Sequence, residues 1–510
     1  MLAKTISCGL DGVNGYPVEV EAFIGNGLAG FEIVGLPSAA VKESRDRIRA
    51  AIAVSGFPFP FGKVTVNLAP ANVKKEGTGF ELAIAIALLA SKWPQLMAQL
   101  ENTMLLGELS LQGRLMPIRG ALGMVITAAE QGIRHVVLPR QNAKECECVS
   151  EVNVYPAETL AEVCAHLTGK APLAPTPHVS YEQLLTTKEI AHDLKYVKGQ
   201  AIARRALEVA AAGGHNMLMV GIPGSGKTML ARCLPGILPP LIYAEALETT
   251  LIHSAAGELY ENAGLMIERP FRSPHHSISL PAMIGGGAKA RPGEVSLAHN
   301  GVLFLDELPE FQRGTLEALR QPLEDGSVNI LRVNGQNRYQ SGCMLLAGMN
   351  PCPCGNFGSR HKECRCTAAE IKRYLGRISG PLLDRIDIQV EMDAVSIEEI
   401  ESAGEQEDSR TVRTRVQRAR ELQQTRYEKL GYYCNAQLDQ QGMDAFCGLE
   451  PDAHRLLHQA MERFHISMRT YGRIRKVART IADLSASEMI RAQDVAQAIQ
   501  YRNVDGRYWR

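Results

Sequence analysis

The stretch Gly221-Ile222-Pro223-Gly224-Ser225-Gly226-Lys227-Thr228 constrains this chain more than any other. An apolar run, Met217 to Val220, leads into it and a helix-forming stretch beginning Met229-Leu230-Ala231 leaves it, the strand, loop and helix that the pattern G-x-x-x-x-G-K-[ST] requires. Glycines let backbone N–H groups converge on phosphates at a helix N-terminus; Lys227 adds a charge for the β and γ oxygens, and the Thr228 hydroxyl is suited to Mg2+. The expected nucleotide-binding residues are Gly221, Pro223, Gly224, Ser225, Gly226, Lys227, Thr228 and Met229. Further along, Gly301-Val302-Leu303-Phe304-Leu305-Asp306-Glu307 reads as a buried strand ending in two carboxylates. Asp306 would hold Mg2+ through its water and Glu307 would polarise the attacking water. Together the two motifs predict an ATP hydrolase using Mg2+.

With 510 residues, the chain is long enough for about three domains. Lys+Arg 55 against Asp+Glu 55 excludes a uniformly basic nucleic-acid coat, although charge is uneven along the chain. From Arg463 to Arg479 there are six Lys/Arg and no acidic residue, and Arg410 to Arg420 adds five arginines without a carboxylate. The start, MLAKTISCGLDG, lacks a signal-peptide core, and the longest apolar run, Leu82 to Ala90, is about half a membrane span. A cytoplasmic protein with no membrane partner is expected, its cysteines being thiols or metal ligands.

The residues from Gly169 to Pro177 (GKAPLAPTP) mark a seam. The expected organisation is an α/β domain over 1–170, a Pro-rich linker over 171–190, an ATPase domain over 191–395 and a helical domain over 396–510. In the first domain, strands are expected over Val18 to Ile24, Lys63 to Leu68 and His135 to Leu138, and helices over Ala39 to Val54, Phe80 to Ala90 and Ala121 to Gln131. Helices are also expected at Arg410 to Leu430, Asp452 to Phe464 and Arg473 to Leu484.

Long blocks carry a resemblance: RPFRSPHHSISLPAMIGGGAKARPGEVSLAHNGVLFLDELPEF, AGMNPCPCGNFG, RYLGRISGPLLDRID and KVARTIADL. Over essentially the whole chain the sequence resembles the magnesium chelatase-like AAA+ ATPases, in particular those tied to natural transformation. The resemblance implies a homohexameric ring with ATP between subunits, acting in branch migration on single-stranded and branched DNA alongside recombination proteins. It implies that Arg385 is an arginine finger acting in trans, that Asn350 is the sensor 1 residue orienting the lytic water, and that Arg469, with Arg473 as rival, is sensor 2 on a helical lid. Tyr196, Val197 and Gln200 match the stretch that packs near adenine. The same resemblance gives residues 1–170 the ribosomal-S5-like fold of Lon proteases, on the block LLGELSLQGRLMPIRGALGMVITAAEQGIRHVVLPRQN. Thr78 and Gly79 surround the place of the Lon serine, and Leu122 stands where its lysine belongs. A hydroxyl without its base is a poor nucleophile, so no peptidase activity is expected.

Cys352-x-Cys354 and Cys364-x-Cys366 form an insertion over 351–367 whose four thiolates could converge on Zn2+, with His361 as a substitute ligand; free thiols or a redox pair are the rival readings. Two basic loops are candidates for gripping DNA phosphates: Ile284 to Arg291, carrying Lys289 and Arg291, and Leu331 to Arg338, an expected hairpin carrying Arg332 and Arg338. For every basic cluster, contact between subunits is the alternative. The other function open to the sequence is a chelatase-type remodelling ATPase acting on a protein partner.

Overall fold

The computed structural model describes residues 2–185, 190–259, 263–287, 290–332, 335–359, 362–395, 404, 406–428, 430–464, 467–502 and 508–509, with backbone only at 331, 332, 335 and 336. Two sheets organise them. The first has seven strands in the order Gly30–Val34, Lys63–Ala69, Asn14–Gly25, Leu2–Asp11, Thr103–Leu105, His135–Pro139 and Asn153–Ala157. Its second sequence strand alternates buried Val18, Val20 and Ala22 with more accessible Glu19 and Glu21, the period-two signature of a half-covered sheet. The covering helices run Ala39–Val54, begun by the Ser38 hydroxyl accepting from the Val41 N–H, and Glu81–Ala90, all of whose residues are buried.

The second sheet is entirely parallel, in the order Phe271–Arg272, Val302–Leu305, Met344–Met349, Met217–Gly221 and Ile388–Met392. Every residue of Val302–Leu305, Met344–Met349 and Met217–Gly221 is buried because both faces are covered, which is why these strands read as unbroken apolar runs. Met217 and Met219 face helices Ala201–Gly213 and Lys227–Ile237, while Leu218 and Val220 join Leu303, Leu305 and Tyr374 on the other side.

The C-terminal region is helical, with Ser409–Arg426, Pro451–Phe464, Met468–Leu484 and Ala492–Gln500. These helices share one core with Ala201–Gly213 and the helix leaving the phosphate loop. A buried polar network joins them to the sheet. His215 contacts the Asp387 carboxylate (3.2 Å) and the Thr480 hydroxyl (2.7 Å), and the Arg473 guanidinium donates to Asp387 at 2.7 Å. Burial alone would raise the Asp387 pKa, but Arg473, followed by His215, overcomes this and holds the carboxyl well below the usual carboxylate range. Because the folded pKa is depressed, this contribution is full above the unfolded carboxylate value and is lost as pH falls from there through the folded value. Arg473→Met strands a buried carboxylate. It is expected to cost about 3 kcal/mol in urea unfolding at neutral pH, a deficit that shrinks as acid protonates Asp387.

The segment 171–190 is less a tether than the sequence suggests. Thr176 N–H donates to the Val154 carbonyl (2.7 Å), Val179 N–H to that of Glu147 (3.2 Å), and the Tyr181 hydroxyl to that of Leu241. The N-terminal and ATPase regions also share an apolar cluster in which Met104, Leu122, Val125 and Cys146 pack with Leu241, Ala246 and Leu265. Gly120 N–H donates to the Ser254 carbonyl at 3.0 Å across the same contact. Among the described residues no helix is long and apolar enough to cross a membrane.

Candidate active site

The strand Met217–Gly221 delivers the glycine-rich loop to the C-terminal end of the parallel sheet, and helix Lys227–Ile237 begins within the motif. Gly221 is packed so tightly that a Cβ would meet the Met392 carbonyl at 2.5 Å and the Ser225 hydroxyl at 2.7 Å. Gly224 and Gly226 are in the left-handed region (φ 81° and 89°) and border open space. The Ser225 hydroxyl is buried with no protein partner, a polar atom suited to a ligand oxygen.

Lys227 is buried. Its ammonium donates to the carbonyls of Gly221 (2.7 Å) and Ile222 (3.0 Å) and to the side-chain oxygen of Asn350 (3.2 Å). Burial pushes its pKa down, and the carboxylates of Asp306 and Glu307 pull it back. Strand Met344–Met349 lies between those bearing Lys227 and Asp306, so Asn350 at its end reaches the same point. The Thr228 hydroxyl donates to Asp306 Oδ2 at 2.7 Å, and Asp306 Oδ1 accepts the Glu307 N–H at 3.0 Å. Thr228 and Asp306 thus present the hard oxygen pair suited to Mg2+. Glu307 has φ 53°, which is costly for a residue with a Cβ, and its half-exposed carboxylate lies 3.6 Å from His276 Nδ1. His276 in turn lies against His275, with ring centroids 4.0 Å apart and planes tilted by 36°.

Beside the loop, Gln200 (φ 55°) donates to the carbonyls of Ser225 (3.2 Å) and Asp393 (2.5 Å). Val197 is buried and Tyr196 exposed, with the Lys195 ammonium 5.0 Å from its ring. The stretch expected near adenine is therefore held directly against the phosphate loop.

Arg385, Arg469 and Arg473 lie elsewhere. Arg385 donates to the Pro381 carbonyl (2.8 Å) and pairs with Glu324, Arg469 lies 3.6 Å from Asp384, and Arg473 is taken up by Asp387. Burial first, then Arg320, Arg469 and Arg473, lower the Arg385 pKa, so these cations form one cluster. They surround the start of strand Ile388–Met392, where Ile388 pairs with Met217; its far end, Met392, pairs with Gly221. At about 3.3 Å per residue the length of that strand, some 13 Å, separates the arginines from the phosphate loop of the same chain.

Similarities to known proteins bear on this arrangement. Family models described as "Magnesium chelatase, subunit ChlI", "Subunit ChlI of Mg-chelatase" and "Magnesium chelatase, subunit ChlI C-terminal" match residues 193–400, 20–142 and 406–502. The chain is 44% identical to the protein YifB of Escherichia coli over 500 residues, covering 97% of this chain and 96% of that one. The chain belongs to the magnesium chelatase-like AAA+ family. It is also 42% identical to the competence protein ComM of Haemophilus influenzae over 495 residues (96% and 95% coverage), and 27% identical to the Lon protease of Trichlorobacter lovleyi over 179 residues (32% and 21%). Membership of this family implies nucleotide and Mg2+ as cofactors.

The four cysteines also converge. All their sulfurs lie within 4.8 Å of one another, with Cys352 to Cys354 at 3.4 Å, Cys352 to Cys364 at 3.7 Å and Cys354 to Cys364 at 3.6 Å. Backbone N–H groups of Asn356 and Arg365 pull the Cys354 thiol down to about 6. His361 and Lys289 lie outside the described residues, as does the side chain of Arg332. The hairpin pairs Ser327–Arg332 with Gly335–Gln340, placing Arg338 opposite Asn329, with Arg338 exposed. Gly285–Gly286 pairs with Arg291–Pro292, and Arg291 is exposed. The Tyr339 hydroxyl donates to the Ala290 carbonyl at 2.7 Å, tying the two basic loops together. In the N-terminal domain the Thr78 hydroxyl donates to Glu108, and Leu122 is wholly buried. The first therefore faces an acceptor and the second supplies no amine.

Sequence reasoning missed Gly348 and His276. A Cβ at Gly348 would lie 2.9 Å from Asp306 Oδ1 and 3.9 Å from Lys227 Cβ, a contact between strands that no local motif reveals. Gly348→Ala is expected to displace the Asp306 carboxylate and raise the Mg2+ concentration for half-maximal ATPase about tenfold, with the far-ultraviolet circular dichroism unchanged.

Proposed function

We propose that this chain is an ATP-driven DNA motor that works as a homohexameric ring and moves on single-stranded and branched DNA, extending recombination intermediates during natural transformation. Two positive loops tied to one another carry this reading: Arg291 and Arg338 are both exposed on hairpins joined through Tyr339 and Ala290. Such loops grip phosphates without reading sequence. The name of the Haemophilus influenzae relative supports the link to competence.

Within the site, Lys227 and the loop N–H groups would hold the β and γ phosphates, Thr228 and Asp306 would hold Mg2+, and Asn350 and Glu307 would position and deprotonate water. Bound Mg2+ would neutralise charge on the phosphate oxygens. Glu307 must leave His276 to face a γ-phosphate, and Arg385, with Arg469 beside it, serves the site of a neighbouring subunit. The four thiolates hold Zn2+: sulfurs about 2.3 Å from one tetrahedral ion sit about 3.8 Å apart, against about 2.05 Å in a disulfide.

ATPase rate measured with and without single-stranded and branched DNA tests the motor reading. Stimulation of several-fold that falls with salt is expected; no stimulation and no salt-sensitive DNA binding would sink it. The second reading, a chelatase-type remodelling ATPase, is favoured by the three family models and predicts stimulation by a protein partner instead. Elemental analysis checks the metal, and less than about half a zinc per chain counts against it.

A further inference from the structure

The four-cysteine loop touches the nucleotide site at two points. Its first ligand, Cys352, lies two residues after Asn350, and the Asn350 side chain accepts from the Lys227 ammonium. Between the cysteine pairs, Gly355 turns the chain at φ 80°, with its N–H donating to the Cys352 carbonyl at 2.9 Å. There the loop meets the third residue of the phosphate loop, whose ring fixes its backbone: a Cβ on Gly355 would lie 2.6 Å from both Cγ and Cδ of Pro223. The Phe357 N–H donates to the Cys352 sulfur at 3.3 Å, so a backbone group orients the ligand nearest the sensor strand. Phe357 then packs edge-on against Tyr508, at 6.0 Å between ring centroids.

We propose that the metal-loaded cysteine loop is a structural clamp on the ATP site: one end fixes the Asn350 side chain on Lys227, and Gly355 braces the Pro223 ring. The inference rests on the Zn2+ reading above and extends it to nucleotide affinity. A loop of this composition, rich in glycine and polar residues, has little apolar surface with which to fold, so its shape depends on the bound ion. Loss of the ion releases Cys352 and Gly355 together, and the phosphate loop loses its backing at Pro223. Nucleotide affinity then pays the cost of ordering the loop at each binding event.

The test uses the full-length protein as purified. Zinc is displaced from the thiolates with an organomercurial, counted with a colorimetric chelator, and the mercurial is then removed with excess thiol. The Kd for a fluorescent ATP analogue is measured in excess Mg2+ before displacement, after it, and after returning Zn2+. A rise in Kd of about tenfold on removal, reversed by Zn2+, is expected. A Kd unchanged within about twofold on fully stripped protein overturns the clamp while leaving the metal reading intact. Protein that holds no zinc and shows no thiolate-to-metal absorption band with Co2+ overturns both. Gly355→Ala separates contact from metal and does not depend on a cysteine variant folding. The added methyl presses on Pro223 while all four thiols remain, so full zinc content with weakened ATP binding is expected. Full zinc content with unchanged binding overturns the clamp.

Discussion

Lys227→Ala is expected to abolish ATP hydrolysis, lowering the rate at saturating nucleotide by about three orders of magnitude or more. The ammonium is the only side-chain cation among the described contacts of the loop, and its three donors are directed by the Gly221 and Ile222 carbonyls and by Asn350. Its removal leaves the β and γ oxygens to backbone N–H groups alone and frees the Asn350 side chain from its partner. Stability should change little, because the loop glycines and the buried strand are untouched. Phosphate release under excess Mg2+ measures the loss, and thermal unfolding confirms that the fold survives. Retention of more than about a tenth of the activity would mean that another cation serves the phosphates.

Arg385→Ala carries the second large effect. ATP binding is expected to stay within about twofold while hydrolysis falls by 10³ or more, roughly the effect of removing an arginine finger. The geometry behind this is the separation along strand Ile388–Met392, which places Arg385 at the end of the sheet away from its own loop. Mixing supplies the decisive measurement. Arg385→Ala subunits keep Lys227, and Lys227→Ala subunits keep Arg385, so neighbours in a mixed ring rebuild complete sites. The mixture should exceed either variant alone; a mixture as silent as its parts would place the arginine outside the reaction or the sites outside a ring.

How much of this was legible depends on whether the chemistry is local. The phosphate loop is eight consecutive residues, and the strand Val302–Leu305 ends directly in its two carboxylates, so both could be read from order alone. Helix Ala39–Val54 was also legible to the residue because Ser38 caps it and its apolar positions keep a helical period. The C-terminal helices begin and end close to their expected bounds, except that Ser409–Arg426 stops short of Leu430 and Met468–Leu484 starts before Arg473. The sequence could not show what each helix packs against. Arg469 and Arg473 are one turn apart and look equivalent as letters; a buried carboxylate, Asp387, engages the second and leaves the first more accessible. Gly348, His276 and Gly355 were illegible for the same reason. Each matters through one approach made by a segment distant in sequence, to Asp306, Glu307 and Pro223 respectively.

The shared apolar cluster between the N-terminal and ATPase regions has a mechanical consequence. With Leu241, Ala246 and Leu265 packed among Met104, Leu122 and Val125, and Gly120 bonded to Ser254, the seven-stranded sheet is fixed to the ATPase region. A tilt of the ATPase unit during its cycle is then carried outward along a lever, with displacement growing in proportion to distance from the pivot. A dye at the exposed position of Leu28, on the N-terminal region, would report such displacements.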